Sequence, residues 1–214
     1  MKPRAKSTSV EAQHYFVAEP ASRSDPTQVR VSLRGLTLEL WTDRGVFSHG
    51  GVDRGSRLLA ERMELKPGAR VLDWGAGYGL LGIVAAALCP DCAVTLVEVN
   101  QRAAALAERN TKQQGLPRAR VICGQAPAAL GEERFDVIIS NPPLRAGRAA
   151  VEALIADAEQ RLTPGGELWL VVPTNKGAKR FLSHMVRLFS EARTVAISGG
   201  YRVLWAKKEE GKEQ

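Results

Sequence analysis

Cysteine, histidine and long apolar runs are all in short supply in this chain, and each shortage removes a class of explanation. The three cysteines, Cys89, Cys92 and Cys123, are too few for a disulfide framework, and their apolar surroundings are those of reduced, buried thiols. Cys89-Pro90-Asp91-Cys92 has the spacing of a metal clip but no second pair. The only histidines, His14, His49 and His184, lie far from it in sequence, so a zinc site is set aside and no metal is expected. The longest apolar runs, such as Leu80 to Leu88, are too short to span a bilayer. The Lys/Arg-bearing N-terminus also lacks the apolar segment of a signal peptide. A cytoplasmic protein without a membrane partner is expected.

What remains is an ordinary globular composition, 44% hydrophobic and 25% charged over 214 residues. That is enough for one α/β domain with a short appendage. The formal charge of +7 favours an anionic partner, of which nucleic acid is the commonest large one. A solvated basic surface would account for the same charge.

Residues 1–27 are polar and interrupted by Pro3, Pro20 and Pro26, which reads as a flexible arm. Residues 28–206 read as a single domain. It begins with a β-hairpin over 28–41, in which Val29, Val31 and Leu33 alternate with polar residues, Arg34-Gly35 turns, and Leu36, Leu38 and Leu40 alternate again. A glycine-rich loop then leads to a helix from about Asp53, a plausible N-cap, to Met63. Over 66–206, short apolar runs (Arg70-Trp74, Ala93-Val97, Ala119-Ile122, Phe135-Ile139, Leu168-Val172) alternate with helices near Leu80-Leu88, Gln101-Gln114, Arg148-Leu162 and Lys176-Phe189. Such alternation implies crossover connections and a mainly parallel sheet covered on both faces. Gly199-Gly200 joins Thr194-Ile197 to Arg202-Trp205 as a closing antiparallel hairpin, giving seven strands. Residues 207–214 read as a disordered tail.

Three segments carry chemistry. Asp73 ends the first parallel strand, and Gly75, Gly77 and Gly79 follow at the mouth of a helix, where ligands of open α/β sheets bind. The run Gly77-Tyr78-Gly79-Leu80-Leu81-Gly82 also satisfies a dinucleotide fingerprint. However, it starts several residues beyond the strand, and Asp73 would set negative charge where a pyrophosphate should meet amide donors. An acid there suits a ligand with a cationic end, such as S-adenosylmethionine. Glu98, ending the second strand, is placed to accept from both ribose hydroxyls. Ser140-Asn141-Pro142-Pro143-Leu144 follows a further strand. An asparagine amide oxygen and the next carbonyl can both accept from one NH2 group, and the prolines stiffen that geometry. Taken alone, the same residues also read as a turn breaker.

In order, Asp73-x-Gly75-x-Gly77-x-Gly79, Glu98 and Asn141-Pro142-Pro143-Leu144 resemble the N-methylating branch of the Rossmann-like class I S-adenosylmethionine-dependent methyltransferases. Thr42-Asp43-Arg44-Gly45-Val46-Phe47-Ser48 with Gly51-Val52-Asp53-Arg54-Gly55-Ser56-Arg57-Leu58-Leu59 narrows this to the small-subunit (16S) ribosomal RNA guanine-N2 methyltransferases of single-domain type. The resemblance implies S-adenosylmethionine bound by Asp73, Gly75, Ala76, Gly77, Tyr78 and Gly79, with Asp73, Gly75 and Gly77 at its methionine end. It implies Glu98 and Val99 at the ribose, Gln125 and Ala126 at the adenine, and Phe47 and Ser48 closing the pocket, with Asn141 beside the methyl group. Asn141 and the Pro142 carbonyl would orient the target amine, with Pro143 and Leu144 completing the catalytic turn. Many relatives have an aromatic where Leu144 stands and a histidine where Arg145 stands. Two-domain relatives add a degenerate copy upstream, so here RNA docking would come from the arm, from basic surface or from a partner. The candidates are Arg44, Arg54, Arg57, Arg145 and Arg148, with a helical stripe of Lys176, Lys179, Arg180 and Arg187. The implied partner is ribosomal RNA or the small ribosomal subunit. The alternatives are methylation of a release-factor glutamine amide, which Asn-Pro-Pro would serve equally well, a non-catalytic RNA-binding assembly protein, and a nicotinamide-dependent dehydrogenase.

Overall fold

A computed structural model describes residues 22–211. The expectations for residues 1–21 and 212–214 lie outside the described residues. The first hairpin pairs β1 (Thr27–Leu33) with β2 (Leu36–Thr42). Arg34 and Gly35 both turn with positive φ, 49° and 81°, as a tight turn matched to strand twist requires. Period-two alternation puts Val31, Leu33, Leu38 and Leu40 on the buried face. The Arg34 guanidinium then donates to Ala60 O and Met63 O, satisfying carbonyls at the end of α1 (Arg54–Arg62).

The main sheet has the order β5-β4-β3-β6-β7-β9-β8. Strands β3 (Arg70–Trp74), β4 (Ala93–Glu98), β5 (Ala119–Cys123), β6 (Phe135–Ser140) and β7 (Leu162–Pro173) are parallel. Strand β9 (Tyr201–Lys207) lies antiparallel between β7 and β8 (Glu191–Ser198). Neighbouring residues face opposite sides. Val71, Leu96, Ile139 and Val171 pack with the hairpin, α1, α2 (Leu80–Leu88) and α3 (Gln101–Gln113). Leu72, Ile138, Leu170 and Leu204 pack with α4 (Ala126–Leu130), α5 (Arg148–Arg161) and α6 (Ala178–Leu188). Among the described residues no helix is long and apolar enough to cross a membrane.

The structure departs from the sequence reading at a few points. Helix α4 is new: five residues with a proline in the first turn are too short to show a period. Strand β7 starts at Leu162, directly after α5, because Leu162 pairs with Phe135 across a register shift that Pro164-Gly165-Gly166 hides in the sequence. The final strand includes Lys207, and Lys208 N donates to Gly166 O, so the start of the expected disordered tail is tied to the sheet. Cys89 and Cys92 form a disulfide rather than remaining reduced thiols. The chain turning out of α2 brings their Cα atoms to 5.4 Å, within disulfide range.

Two contacts seat α2 and the hairpin. Gly82 is obligatory where α2 crosses β4, since a Cβ there would lie 2.6 Å from Leu96 Cγ. Asn110, wholly buried on α3, accepts from Trp41 N at 2.7 Å and donates to Trp41 O and Tyr78 O, both at 2.9 Å. One side chain thereby joins β2, α3 and the turn before α2. Asn110→Ala would strand these buried backbone groups, with an expected loss of at least about 2 kcal/mol in urea unfolding. An unchanged midpoint would show that hairpin docking does not depend on it.

Candidate active site

The parallel strands end together, and their ends are cross-tied. Gly75 N and Ala76 N donate to Val97 O, Gly124 N donates to Glu98 O, and Ser140 Oγ donates to Trp74 O at 2.7 Å. The last bond sets Asn141 beside the start of the glycine turn. Gly75 and Gly77 have φ of 76° and 59°, and a Cβ on either would meet no atom within 4 Å. Open space over a backbone that L side chains rarely adopt is the cradle a closely approaching ligand needs.

The two acids are more deeply committed than the sequence implies. Asp73 is 0% exposed, and its Oδ2 accepts from Gly82 N at 2.7 Å. It anchors the first turn of α2 rather than reaching into an open cleft. Its Oδ1 is buried without a hydrogen-bond partner among the described residues, a vacancy of the kind a cationic ligand end would complement. Glu98, 7% exposed, accepts from Gly77 N and Asn100 N, one on each oxygen at 2.8 Å. Its remaining lone pairs are what it can offer to hydroxyls. Burial raises the Asp73 pKa to about 7 against the opposing Gly82 hydrogen bond, with repulsion from Glu98 adding to the rise. Burial likewise raises Glu98, opposed by the bonds from Asn100 and Gly77.

Tyr78 does not present its ring to the cleft. It is buried, and its hydroxyl donates to Gly51 O at 3.4 Å. Gly79 is the N-cap of α2. Ala76 and Val99 are half-buried beside the strand ends, Gln125 is the exposed N-cap of α4, and Ala126 is buried in its first turn. The loop after β2 is strapped above them: Asn100 Nδ2 donates to Gly45 O and Arg102 Nη1 to Arg44 O. Ser48, at φ 65°, donates to Gly51 O at 2.8 Å, which closes the loop on itself.

Phe47, Ser48, His49, Asp53, Asn141, Pro142, Pro143, Leu144, Arg145, Pro173, Lys176 and Tyr201 line one cavity of about 830 Å³. It gathers the loop, the head of α1 and the ends of β6, β7 and β9. Phe47, 44% exposed, gives this cavity an aromatic face, whereas Leu144 begins a 3-10 turn and packs against the α5–α6 core. Asn141 Nδ2 donates to Asp53 Oδ2 and Ser56 Oγ, both at 2.9 Å. The Pro142 carbonyl already accepts from Leu144 N at 2.9 Å, leaving one lone pair. His49, Asp53, Ser56, Pro173 and Tyr201 are not among the site candidates the sequence offers. Tyr201 stands 148 residues from its partner Asp53, and no local pattern links them.

The basic candidates divide. Arg57 Nη1 donates to Ser32 O at 3.0 Å and so braces the hairpin, and Arg44 pairs with Asp25 at 2.9 Å. Arg54 is exposed at the head of α1, and Arg145 lies at the cavity. Arg148 and Lys176 share an adjoining cavity of about 370 Å³. Of the basic residues expected as a stripe, Arg180 pairs with Glu152 at 2.6 Å and Arg187 meets His184 at 3.0 Å, both on the exposed surface of α6.

Residues 37–205 match the family model described as the methyltransferase small domain. The uncharacterised protein YbxB of Bacillus subtilis is 32% identical over 92% of this chain and 99% of its own length. Ribosomal RNA small subunit methyltransferase C of Pseudomonas aeruginosa is 32% identical over 97% of this chain, which spans 64% of that relative. Among solved structures, the T. thermophilus 16S rRNA N2 methyltransferase in complex with AdoMet and guanosine superposes with a TM-score of 0.77 at 29% identity. It covers 89% of this chain and 52% of that one.

Asp73 also makes a pH prediction. A carboxyl group whose pKa is raised on folding binds its proton more tightly in the native state. Its contribution to stability is therefore full below about pH 4, the ordinary carboxylate range, and is lost as pH rises through about 7. Asp73→Asn, which can still accept from Gly82, should flatten the fall in Tm of the cofactor-free protein between pH 5 and 8. An unaltered slope would place the titration elsewhere.

Proposed function

The chain belongs to the methyltransferase small domain family, and from that premise we propose that it methylates an exocyclic amino group of small-subunit ribosomal RNA, with guanine N2 as the target. The cofactor is S-adenosylmethionine, whose sulfonium supplies an electrophilic methyl group and leaves as S-adenosylhomocysteine. One observation carries the reading: Asn141 lines the large cavity at the end of β6, tied through Ser140 to the start of the glycine turn. An amine acceptor thereby stands next to a cofactor cradle. The rRNA methyltransferase relatives and the guanosine-bound neighbour support the substrate class.

The residues divide the work. Gly75 and Gly77 admit the cofactor backbone, and Glu98 offers its free lone pairs to hydroxyls. The unpartnered Oδ1 of Asp73 favours a cationic end nearby. Asn141 Oδ1 and the free lone pair of Pro142 O receive the two N–H bonds of the target amine, which turns the nitrogen lone pair toward the methyl group. No strong base is required at that step, because the nitrogen sheds a proton after it has been methylated. Positioning and these fixed dipoles supply the rate. Phe47 gives the base an aromatic face that Leu144 cannot, within the same cavity.

RNA backbone would lie across Arg148 and Lys176. Helices α5 and α6 start beside them at Gly147 and Gly177, both without a side-chain cap. The N–H groups of those first turns are free to meet phosphate. Arg148→Glu and Lys176→Glu should each weaken RNA binding and reduce its salt slope by about 1, with cofactor affinity unchanged. An unchanged slope would move the docking face elsewhere.

The central test uses purified small ribosomal subunits and a release factor as rival substrates, with mapping of the modified nucleotide. Subunit-specific methylation that falls by at least about 100-fold in Asn141→Ala, at near-constant cofactor affinity, is the expected result. Methylation of the release factor alone would replace rRNA by a glutamine amide.

A further inference from the structure

We infer that Asp53 and Ser56, steadied by Tyr201, are positioning residues that lock the Asn141 amide in one sense, so that the site admits only a nucleophile presenting N–H donors. The inference rests on the reading of Asn141 as acceptor for the target amine, and it concerns residues that touch Asn141 rather than the reacting atoms.

Asn141 Nδ2 lies 2.9 Å from Asp53 Oδ2 and 2.9 Å from Ser56 Oγ. A carboxylate oxygen has no hydrogen to give, so the amide atom facing it must be the NH2 group. Flipping the amide would set Oδ1 against the carboxylate and exchange a charge-assisted bond for repulsion. Both Nδ2 hydrogens are therefore committed. The one polar atom left to offer a substrate is the Oδ1 acceptor.

Asp53 is itself held on both oxygens. Oδ2 accepts from Ser56 N at 2.8 Å as the N-cap of α1, and Oδ1 accepts from the Tyr201 hydroxyl at 3.2 Å. Burial, then the neighbouring Asp53 charge, raises the Tyr201 pKa and keeps that hydroxyl a donor. The Tyr201 ring lies so close over α1 that a Cβ on Gly55 would sit 2.7 Å from it. Glycine in the first turn of the helix is what allows this approach.

The consequence is selection by hydrogen-bond polarity. An NH2 group can donate to Asn141 Oδ1 and Pro142 O. A ring carbonyl would meet acceptors with nothing to donate and would lose its own solvation. On a guanine edge this favours the exocyclic amine over the carbonyl oxygen.

Two substitutions at Asp53 separate helix capping from amide locking. Asp53→Ser keeps an N-cap but is too short to reach Asn141, whereas Asp53→Asn keeps the cap and an acceptor at the Oδ2 position. Single-turnover methylation of small subunits, cofactor Kd and hydrogen exchange of the Asn141 side-chain amide by NMR are the readouts. The double variant Asp53→Ser/Ser56→Ala should lose on the order of 10- to 100-fold in rate. It should keep its cofactor affinity and lose protection of the Asn141 amide protons, while Asp53→Asn recovers most of the rate. A double variant with the wild-type rate would overturn the inference. So would wild-type Asn141 amide protons that exchange as fast as those of a free side chain. Protected amide protons in a wild-type protein that methylates no amine would uphold the lock and remove the proposed reaction, so the two failures are distinguishable.

Discussion

The carboxylate of Asp53 is where three remote parts of the chain are made to agree. It caps α1, receives Tyr201 from the last strand and receives Asn141 from the end of β6. These bonds tie the head of α1, the turn after β6 and the final hairpin to one another around the cavity. Hydrogen bonds to a charged acceptor, partly shielded from water, are among the stronger polar contacts a protein makes. A network of them is also directional, and that directionality fixes which way the Asn141 amide faces.

The same economy operates at the glycine turn. Asp73 and Glu98 stand at the ends of adjacent strands, yet most of their hydrogen-bonding capacity goes to backbone amides of Gly77, Gly82 and Asn100. They shape the cradle before any ligand enters it. The energetic cost appears in the upward shift of both acids, most plainly in Asp73. That cost ties the protonation of one buried group, Asp73, to the folding of the glycine turn around it.

Much of the fold was legible in the sequence because its signals are local. Alternation marked β1 and β2, short apolar runs marked the parallel strands, and Gly199-Gly200 marked the closing hairpin. Asp53 read correctly as a cap, since a cap is defined by its own helix. Helix α4 and the early start of β7 were illegible, one being too short to repeat the helical period and the other beginning through a glycine-proline break that only pairing with Phe135 explains. Sequence alone did not sort the basic residues by their protein partners, because charge says nothing about a partner already in place. Arg57 is spent on Ser32 and Arg180 on Glu152.

The sequence by itself determined the architecture, the order of Asp73, Glu98 and Asn141 along it and the family resemblance, since all three follow from short patterns. Only the tertiary structure decided which face each group presents: Asp73 turned inward, Tyr78 buried, and Asn141 with its NH2 group drawn to Asp53 and Ser56. Orientation is a property of partners brought together by folding, and those partners stand 88 and 85 residues away from Asn141.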